Sequence, residues 1–386
     1  MNYVLFDDES RIDLLPLTLT RPVAELRLGI FTIREKWNHA LNSHCSHLTE
    51  NYLQTKFGFK ASNDLCFING GLLPDNDLVK AINDLGKEQA LFSKNTLLAA
   101  KSDIKKFQNI ENRKEYEKEV WSVKYPWQLF MMNNHAIKAD FEWIRNNRKS
   151  KKLSLSNKLT GGSESNLFIE EGASVEGSLI NTYYGPVYIG KDAEVMEGCM
   201  IRGPFSLGEG ATLKMGAKIY GATSIGPYSK IGGEVNNSIF LSYSNKAHDG
   251  FIGNSVIGEW CNLGADTNNS NLKNNYNEVK MYSYRHRKEI TTGMQFCGVV
   301  LGDHTKTGIN TMLNTGTVAG VSANIFGDGF PPKYIPSFSW GGAAGFTTYK
   351  LEKAVEAAKK MYERRSLKFD QVEENIFKKL FEDKDA

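Results

Sequence analysis

Eight branched aliphatic residues recur at six-residue intervals through the middle of this chain: Ile189, Val195, Ile201, Leu207, Leu213, Ile219, Ile225 and Ile231. Leu, Ile and Val make up roughly a fifth of ordinary sequence, so such a run arises by chance on the order of once in 10⁵ starting points. Neither common period explains it, since a helix repeats every 3.6 residues and a half-buried strand every 2. A hexapeptide repeat is the signature of a parallel β-helix, in which each hexad supplies one flat face and each aliphatic stacks on its equivalent in the next coil.

The repeat has a ragged start at Ile169 and Val175, slips after Ile231, and resumes at Ile257 and Leu263. It breaks again over residues 266–295 and returns as Leu301, Thr307, Leu313, Ala319 and Ile325. Glycine tends to follow the aliphatic, as at Gly190, Gly208 and Gly226, where it permits a tight bend between faces. The polar interruption carries Arg285-His286-Arg287-Lys288, four consecutive basic residues suited to phosphate. A long interruption of a regular solenoid is more often functional than not, although a solvated loop tip has the same composition.

At 386 residues the chain exceeds one ordinary core, which predicts more than one domain. Residues 1–150 read as an α/β domain, 151–166 as a Ser/Gly-rich linker, 167–340 as the β-helix and 341–386 as a helical tail. In the first segment, residues 3–6 and 65–69 fit buried strands, while 24–41, 77–85 and 126–144 have helical spacing. Strands alternating with helices predict a parallel sheet, with a ligand off the carboxyl ends of its strands near residues 7–22 and 69–75. Asp7 and Asp8, after the first strand, are candidate ligands for Mg²⁺ with a substrate phosphate; a solvated strand end is the alternative. His39, His44, Cys45 and His47 match no closed zinc spacing. In the tail, Leu351, Ala354, Val355, Ala358, Met361 and Tyr362 mark a helix that packs against the β-helix or caps its open end.

A net charge of +3 gives no reason to expect nucleic acid, and no apolar run reaches the length of a membrane span. The first residues lack a signal-peptide pattern. Five scattered cysteines without a CxxC read as reduced thiols, and the expected location is the cytoplasm.

The segments 234–239 and Asn245-Lys246-Ala247-His248-Asp249-Gly250-Phe251-Ile252-Gly253, followed by 257–265 and Ser270-Asn271, resemble a known family. It is the bifunctional N-acetylglucosamine-1-phosphate uridyltransferase / glucosamine-1-phosphate acetyltransferase family. The likeness extends over about residues 187–325, and the whole chain resembles a branch of sugar nucleotidyltransferases with a short, divergent N-terminal domain. The resemblance implies a nucleotidyltransferase domain followed by a left-handed β-helix that forms a homotrimer. It also implies Mg²⁺ for nucleotidyl transfer and acetyl-CoA as acyl donor, with a sugar phosphate and a nucleoside triphosphate as substrates. By the same resemblance His248 stands where the family has its catalytic base, Asn262 and Asn271 match sugar-binding asparagines, and Lys230 falls near a phosphate-binding basic residue. Arg285, Arg287 and Lys288 are then candidates for the coenzyme's phosphates.

The chain also departs from the pattern. Asn236 stands in place of a phosphate-binding lysine, and Phe251 and Leu272 in place of substrate-binding tyrosines. The family's Gly-rich nucleotide loop is missing between Asp7 and Pro22, where Arg21 and Arg27 are the candidate replacements for its positive charge. These departures leave open the retention of only one of the two activities, or a non-catalytic trimeric scaffold or sensor of sugar nucleotides.

Overall fold

A computed structural model describes residues 1–384 as two compact units. The first comprises residues 1–14, 20–26 and 31–125; the second comprises 15–19, 27–30 and 126–386, of which 385 and 386 lie outside the described residues.

The first unit is built on a six-stranded sheet. Ser46–Leu48, Asn2–Phe6 and Leu65–Asn69 pair in parallel, as expected of an α/β unit. Beyond them the sheet turns antiparallel, through Thr96–Lys101 and Gln89–Ser93. The purely parallel expectation fails here for a simple reason. Only Lys94 and Asn95 join those two strands, and so short a connection can join antiparallel strands alone. The helix expected over 24–41 forms only at Ile33–Leu41. Its start is set by a capping box, in which the Glu35 amide donates to Thr32 Oγ1 (3.2 Å) and the Thr32 amide to Glu35 Oε2 (2.7 Å).

The second unit contains the β-helix, borne out in its faces and its register. Ile189 stacks on Leu207 and Ile225 on the first face, and Val195 on Leu213 and Ile231 on the second. Ile201 stacks on Ile219 and Val235 on the third. Three hexads thus make one coil, and these aliphatics form one continuous buried core. The slip after Ile231 is a shortened coil, with Ile225 paired to Phe240 and Ile231 to Lys246, fifteen residues on. The interruption starts later than its polar composition suggests. Asn268–Asn269 still pairs with Met312–Leu313, and buried Asn269 exchanges hydrogen bonds with the amide and carbonyl of Gly253 (2.8 and 3.1 Å). The rest is a hairpin of Lys280–Ser283 and Lys288–Thr291, anchored by Tyr282 stacked on Tyr334 at 3.7 Å.

Three expected boundaries move. Residues 151–166 are not a linker: Lys158–Gly161 pairs with Leu179–Asn181, and Leu153 and Leu159 pack on the β-helix core. Pro126–Asn147 forms a helix as expected but belongs to the second unit, where Asn133 donates to the Ala222 carbonyl (2.7 Å) and accepts from the Gly29 amide (2.7 Å). At the far end the coil continues to Ser339–Gly342 before Leu351–Glu363 and Gln371–Glu382 form two helices.

Those helices pack along one edge of the β-helix. At the corner between the first and second faces, Tyr228, Tyr243, Trp260 and His304 occupy successive coils, all with φ between 58° and 62°. A left-handed backbone costs a side-chain-bearing residue about 1–2 kcal/mol, and stacking offsets it here. Tyr243 and Trp260 lie 4.3 Å apart and parallel, and Tyr362 of the first tail helix covers the same indole at 4.1 Å.

Candidate functional site

In the first unit a pocket of about 450 Å³ opens beside the ends of Asn2–Phe6 and Leu65–Asn69, in the region expected from the strand pattern. Asp8, Ser10, Asn69, Lys94, Lys118 and Lys124 are among its lining residues. Consecutive residues leaving a strand point to opposite sides, and Asp7 and Asp8 are separated in this way. The Asp7 side chain is 7% exposed and accepts from the Val23 amide (2.9 Å) and Thr49 hydroxyl (2.5 Å), with Arg11 3.5 Å away. Burial raises its pKa despite those partners. Asp8 accepts from Asn69 Nδ2 (2.7 Å) and from Ser10.

A magnesium ion takes oxygen ligands from one or two carboxylates besides substrate phosphates. Asp7 is consumed in holding the loop, and among the described residues no three His, Cys, Asp or Glu gather at one point. The Asp7–Asp8 pair does not fit the metal site expected of it. Arg21 and Arg27 are likewise buried, at 4% and 7% exposure, and neither lines the pocket. Arg27 donates to the Ile30 carbonyl. Buried in this way, neither guanidinium is presented to a ligand in this cavity.

The second unit carries a pocket of about 420 Å³ between the outer side of the second face and the first tail helix. Here the structure joins two residues the sequence nominated. Lys230 and Asn262 point outward two coils apart, with Asn245 between them in register. The ladder continues to Lys306, and Arg364 and Arg365 reach the same pocket from the end of the tail helix. Arg365 donates to Asn245 Oδ1 at 3.4 Å. Sequence reading missed Lys306, although its place one residue before Thr307 puts it in the same outward column as Lys230 and Asn262. The two arginines had no such signal.

His248 lies exposed at the next corner, between Asn245–Lys246 and Phe251–Gly253, one residue beyond the pocket-lining Ala247. Its backbone carbonyl accepts from Lys246 Nζ (2.8 Å), a lysine 1% exposed whose ammonium also reaches the Gly232 carbonyl (2.9 Å). Burial pushes the Lys246 pKa down to about 8, against the opposing pull of Asp249, Asp266 and Glu234. Asn271 is not part of this group and donates to Asn254 Oδ1 (2.8 Å) on another side of the coil. Arg285, Arg287 and Lys288 sit exposed at the tip of the inserted hairpin, away from the pocket lining. No cysteine offers a nucleophile: all five are buried and unpaired, and burial pushes Cys45, Cys66, Cys261 and Cys297 up to about 12.

Comparison with known proteins gives three results. Residues 3–149 match the family model for sugar nucleotidyl transferases. A bifunctional sugar-1-phosphate nucleotidylyltransferase/acetyltransferase of Sulfurisphaera tokodaii is 31% identical over 144 residues, covering 37% of this chain and 35% of the relative. The bifunctional protein GlmU of Methanocaldococcus jannaschii is 34% identical over 87 residues, covering 22% of this chain and 21% of the relative. The chain thus spans about a third or less of the length of these relatives. Among solved structures, the polysialic-acid-specific acetyltransferase NeuO aligns with 55% of this chain and 99% of its own, at TM-score 0.32 and 13% identity. The UDP-N-acetylglucosamine acyltransferase of Campylobacter jejuni aligns with 59% of this chain and 95% of its own, at TM-score 0.22 and 12% identity. Among the described residues no helix is long and apolar enough to cross a membrane.

Proposed function

We propose that this chain is a two-part transferase of sugar-nucleotide synthesis, of the UDP-N-acetylglucosamine type. Its first unit transfers a nucleotidyl group to a sugar 1-phosphate and releases pyrophosphate. Its β-helix transfers an acyl group from a coenzyme A thioester to the amine of an amino-sugar phosphate. The observation that carries the second half is the convergence of Lys230 and Asn262 on one pocket, with Ala247 in its wall and His248 next along the chain. The match of residues 3–149 to a sugar nucleotidyl transferase model supports the first half.

In the acyl transfer the amine nitrogen attacks the thioester carbonyl, the carbon–sulfur bond breaks, and coenzyme A leaves as the thiolate. His248 takes the proton the amine must lose and passes it to that thiolate, a role suited to imidazole near neutral pH. Lys230 and Asn262 hold the acceptor. Of the predicted pair only Asp8 lines the cavity, and it alone would face a Mg²⁺ ion brought in with the triphosphate, whose chemistry there would be to neutralise phosphate charge. The chain's own contribution there is the set of lysines 94, 118 and 124 around the phosphates.

Two assays test the halves separately. Sugar 1-phosphates offered with nucleoside triphosphates should release pyrophosphate, and hexosamine phosphates offered with acetyl-CoA should release thiol. His248→Ala should slow thiol release about a hundredfold, the low end of general-base effects because water reaches this exposed corner. Thiol release unchanged by that substitution overturns the base assignment. The consumption of Asp7 inside the loop favours one rival, acyl transfer alone with a first unit that only binds. Thiol release without pyrophosphate from any substrate pair would establish it.

The reading includes assembly as a cytoplasmic homotrimer. Leu179 and Met200, paired on the third face and 44% and 53% exposed, offer it apolar surface. Sedimentation should give three times the chain mass, and a monomer at all concentrations would remove this part.

A further inference from the structure

The inward column of the second face runs Val175, Val195, Leu213, Ile231 and then Lys246. A charge in that column is costly, and an aliphatic would fill the same place without the penalty. Burial accordingly lowers the pKa of this lysine, with Asp249, Asp266 and Glu234 opposing the shift. Among the described residues its ammonium makes no salt bridge, and its two hydrogen bonds end on the backbone carbonyls of Gly232 (2.9 Å) and His248 (2.8 Å). A fold that breaks its own packing rule at one rung commonly does so at a site.

The two carbonyls belong to successive corners between the second and third faces. Corners 196–199, 214–217 and 264–267 each take four residues, and so does 247–250, which carries His248. The corner between Ile231 and Glu234 has only Gly232 and Gly233. The Lys246 ammonium lies beside that short corner, where a Cβ on Gly233 would come within 2.7 Å of Nζ. It bridges the gap that the missing residues leave. On the longer corner the carbonyls of Asp249 and Gly250 accept from the Asp266 and Glu234 amides (3.0 and 3.1 Å), as in the ordinary ladder between coils. Of these three successive carbonyls, that of His248 is the one held by a side chain. The His248 imidazole is exposed and, among the described residues, makes no hydrogen bond of its own. A catalytic imidazole is ordinarily oriented through its second ring nitrogen. Here the orientation has to come through the backbone that carries the ring.

We propose that Lys246 is a positioning residue for the acyl transfer: its buried ammonium fixes the corner on which His248 stands against the corner of the preceding coil, and it touches no substrate. The proposal rests on the reading of His248 as the base. Displacing a catalytic group by about 1 Å can cost a hundredfold in rate, so the loss of this anchor is visible in turnover. Substrate binding is spared, because Lys230 and Asn262 reach the pocket from rungs of their own.

Thiol release from acetyl-CoA and hexosamine phosphates, measured on the full chain, tests this. Lys246→Met should lower kcat by about tenfold or more, hold both KM values within about twofold, and keep or raise the melting temperature. A loss of rate in a protein that is no less stable separates positioning from support of the fold. Leu213→Ala, in the same inward column, is the control: it should lower the melting temperature and leave kcat within about twofold. Amide exchange gives a second readout that needs no substrate. In Lys246→Met the Asp266 and Glu234 amides, bonded to the other carbonyls of the corner, should exchange about tenfold faster. Unchanged exchange overturns the proposal. So does an unchanged kcat while His248→Ala slows thiol release, or a rise in KM without a fall in kcat. Thiol release indifferent to His248→Ala removes the base reading, and faster exchange in Lys246→Met then leaves the anchored corner standing.

Discussion

Lys246→Met is expected to stabilise the chain at neutral pH and to lose that advantage in alkali. Lys246 occupies the position of a core aliphatic, stacked between Ile231 and the coil carrying Leu263, and it is 1% exposed. Its folded pKa is depressed to about 8, with burial the leading cause. The sign follows from which state holds the proton. Below pH 8 both folded and unfolded chains are protonated, and the folded state bears the full cost of a buried charge. Between pH 8 and about 10.4 only the unfolded chain keeps the proton, so stability rises with pH. Methionine, of similar length and uncharged, has no such slope. The stability difference between the two proteins should therefore shift by about 3 kcal/mol between pH 7 and pH 10.5 in favour of the parent. The carbonyls of Gly232 and His248 lose a donor in the variant, which offsets part of its gain at pH 7 but does not depend on pH. Urea unfolding at both pH values measures the shift, and parallel pH profiles would show that the ammonium is not buried as described.

The same lysine explains what could be read in the sequence. A hexad register is visible when apolar residues recur, because only they are driven to the inside of the coil. At Lys246 the inward residue is charged, and the coil is three residues short, so both the identity and the period fail together. The slip then looks like an interruption although the stack is continuous. Asn269 hides the register in the same way. Lys230 and Asn262 were legible only through the family resemblance. Each precedes a core aliphatic, which puts both on one outward ladder in the folded coil, a relation the resemblance did not supply. Arg364 and Arg365 come to the ladder from more than fifty residues away through the docking of Tyr362 on Trp260, a contact with no local signal. In the first unit, two adjacent acids off a strand could not be told apart by composition. Only the folded loop shows that Asp7 is turned toward Val23 and Thr49 and Asp8 toward Asn69.

The corner glycines allow a second large effect to be predicted, from two substitutions identical on paper. Gly208 and Gly216 belong to adjacent turns of the same coil, and both would be written as bend-forming residues. Gly216 has φ +70°, and a Cβ added there meets nothing within 4 Å. Gly216→Ala should thus cost only the left-handed backbone of an L-residue, about 1 kcal/mol. Gly208 has no positive φ, so conformational freedom is not why glycine stands there. A Cβ at Gly208 would lie 2.6 Å from the Pro227 nitrogen and 2.8 Å from the Gly226 carbonyl carbon, both backbone atoms of the next coil. Neither can rotate away. To admit a methyl group the coils must separate, yet the Gly208 amide is bonded to the Ile225 carbonyl at 2.8 Å and Leu207 is paired with Ile225 in the core. Strain of this kind in a close-packed interior costs about 3 kcal/mol. Gly208→Ala should therefore lower stability in urea by about three times as much as Gly216→Ala. If the two came out equal, or in the reverse order, the spacing between coils would not be what excludes side chains from the column of Gly190, Gly208 and Gly226.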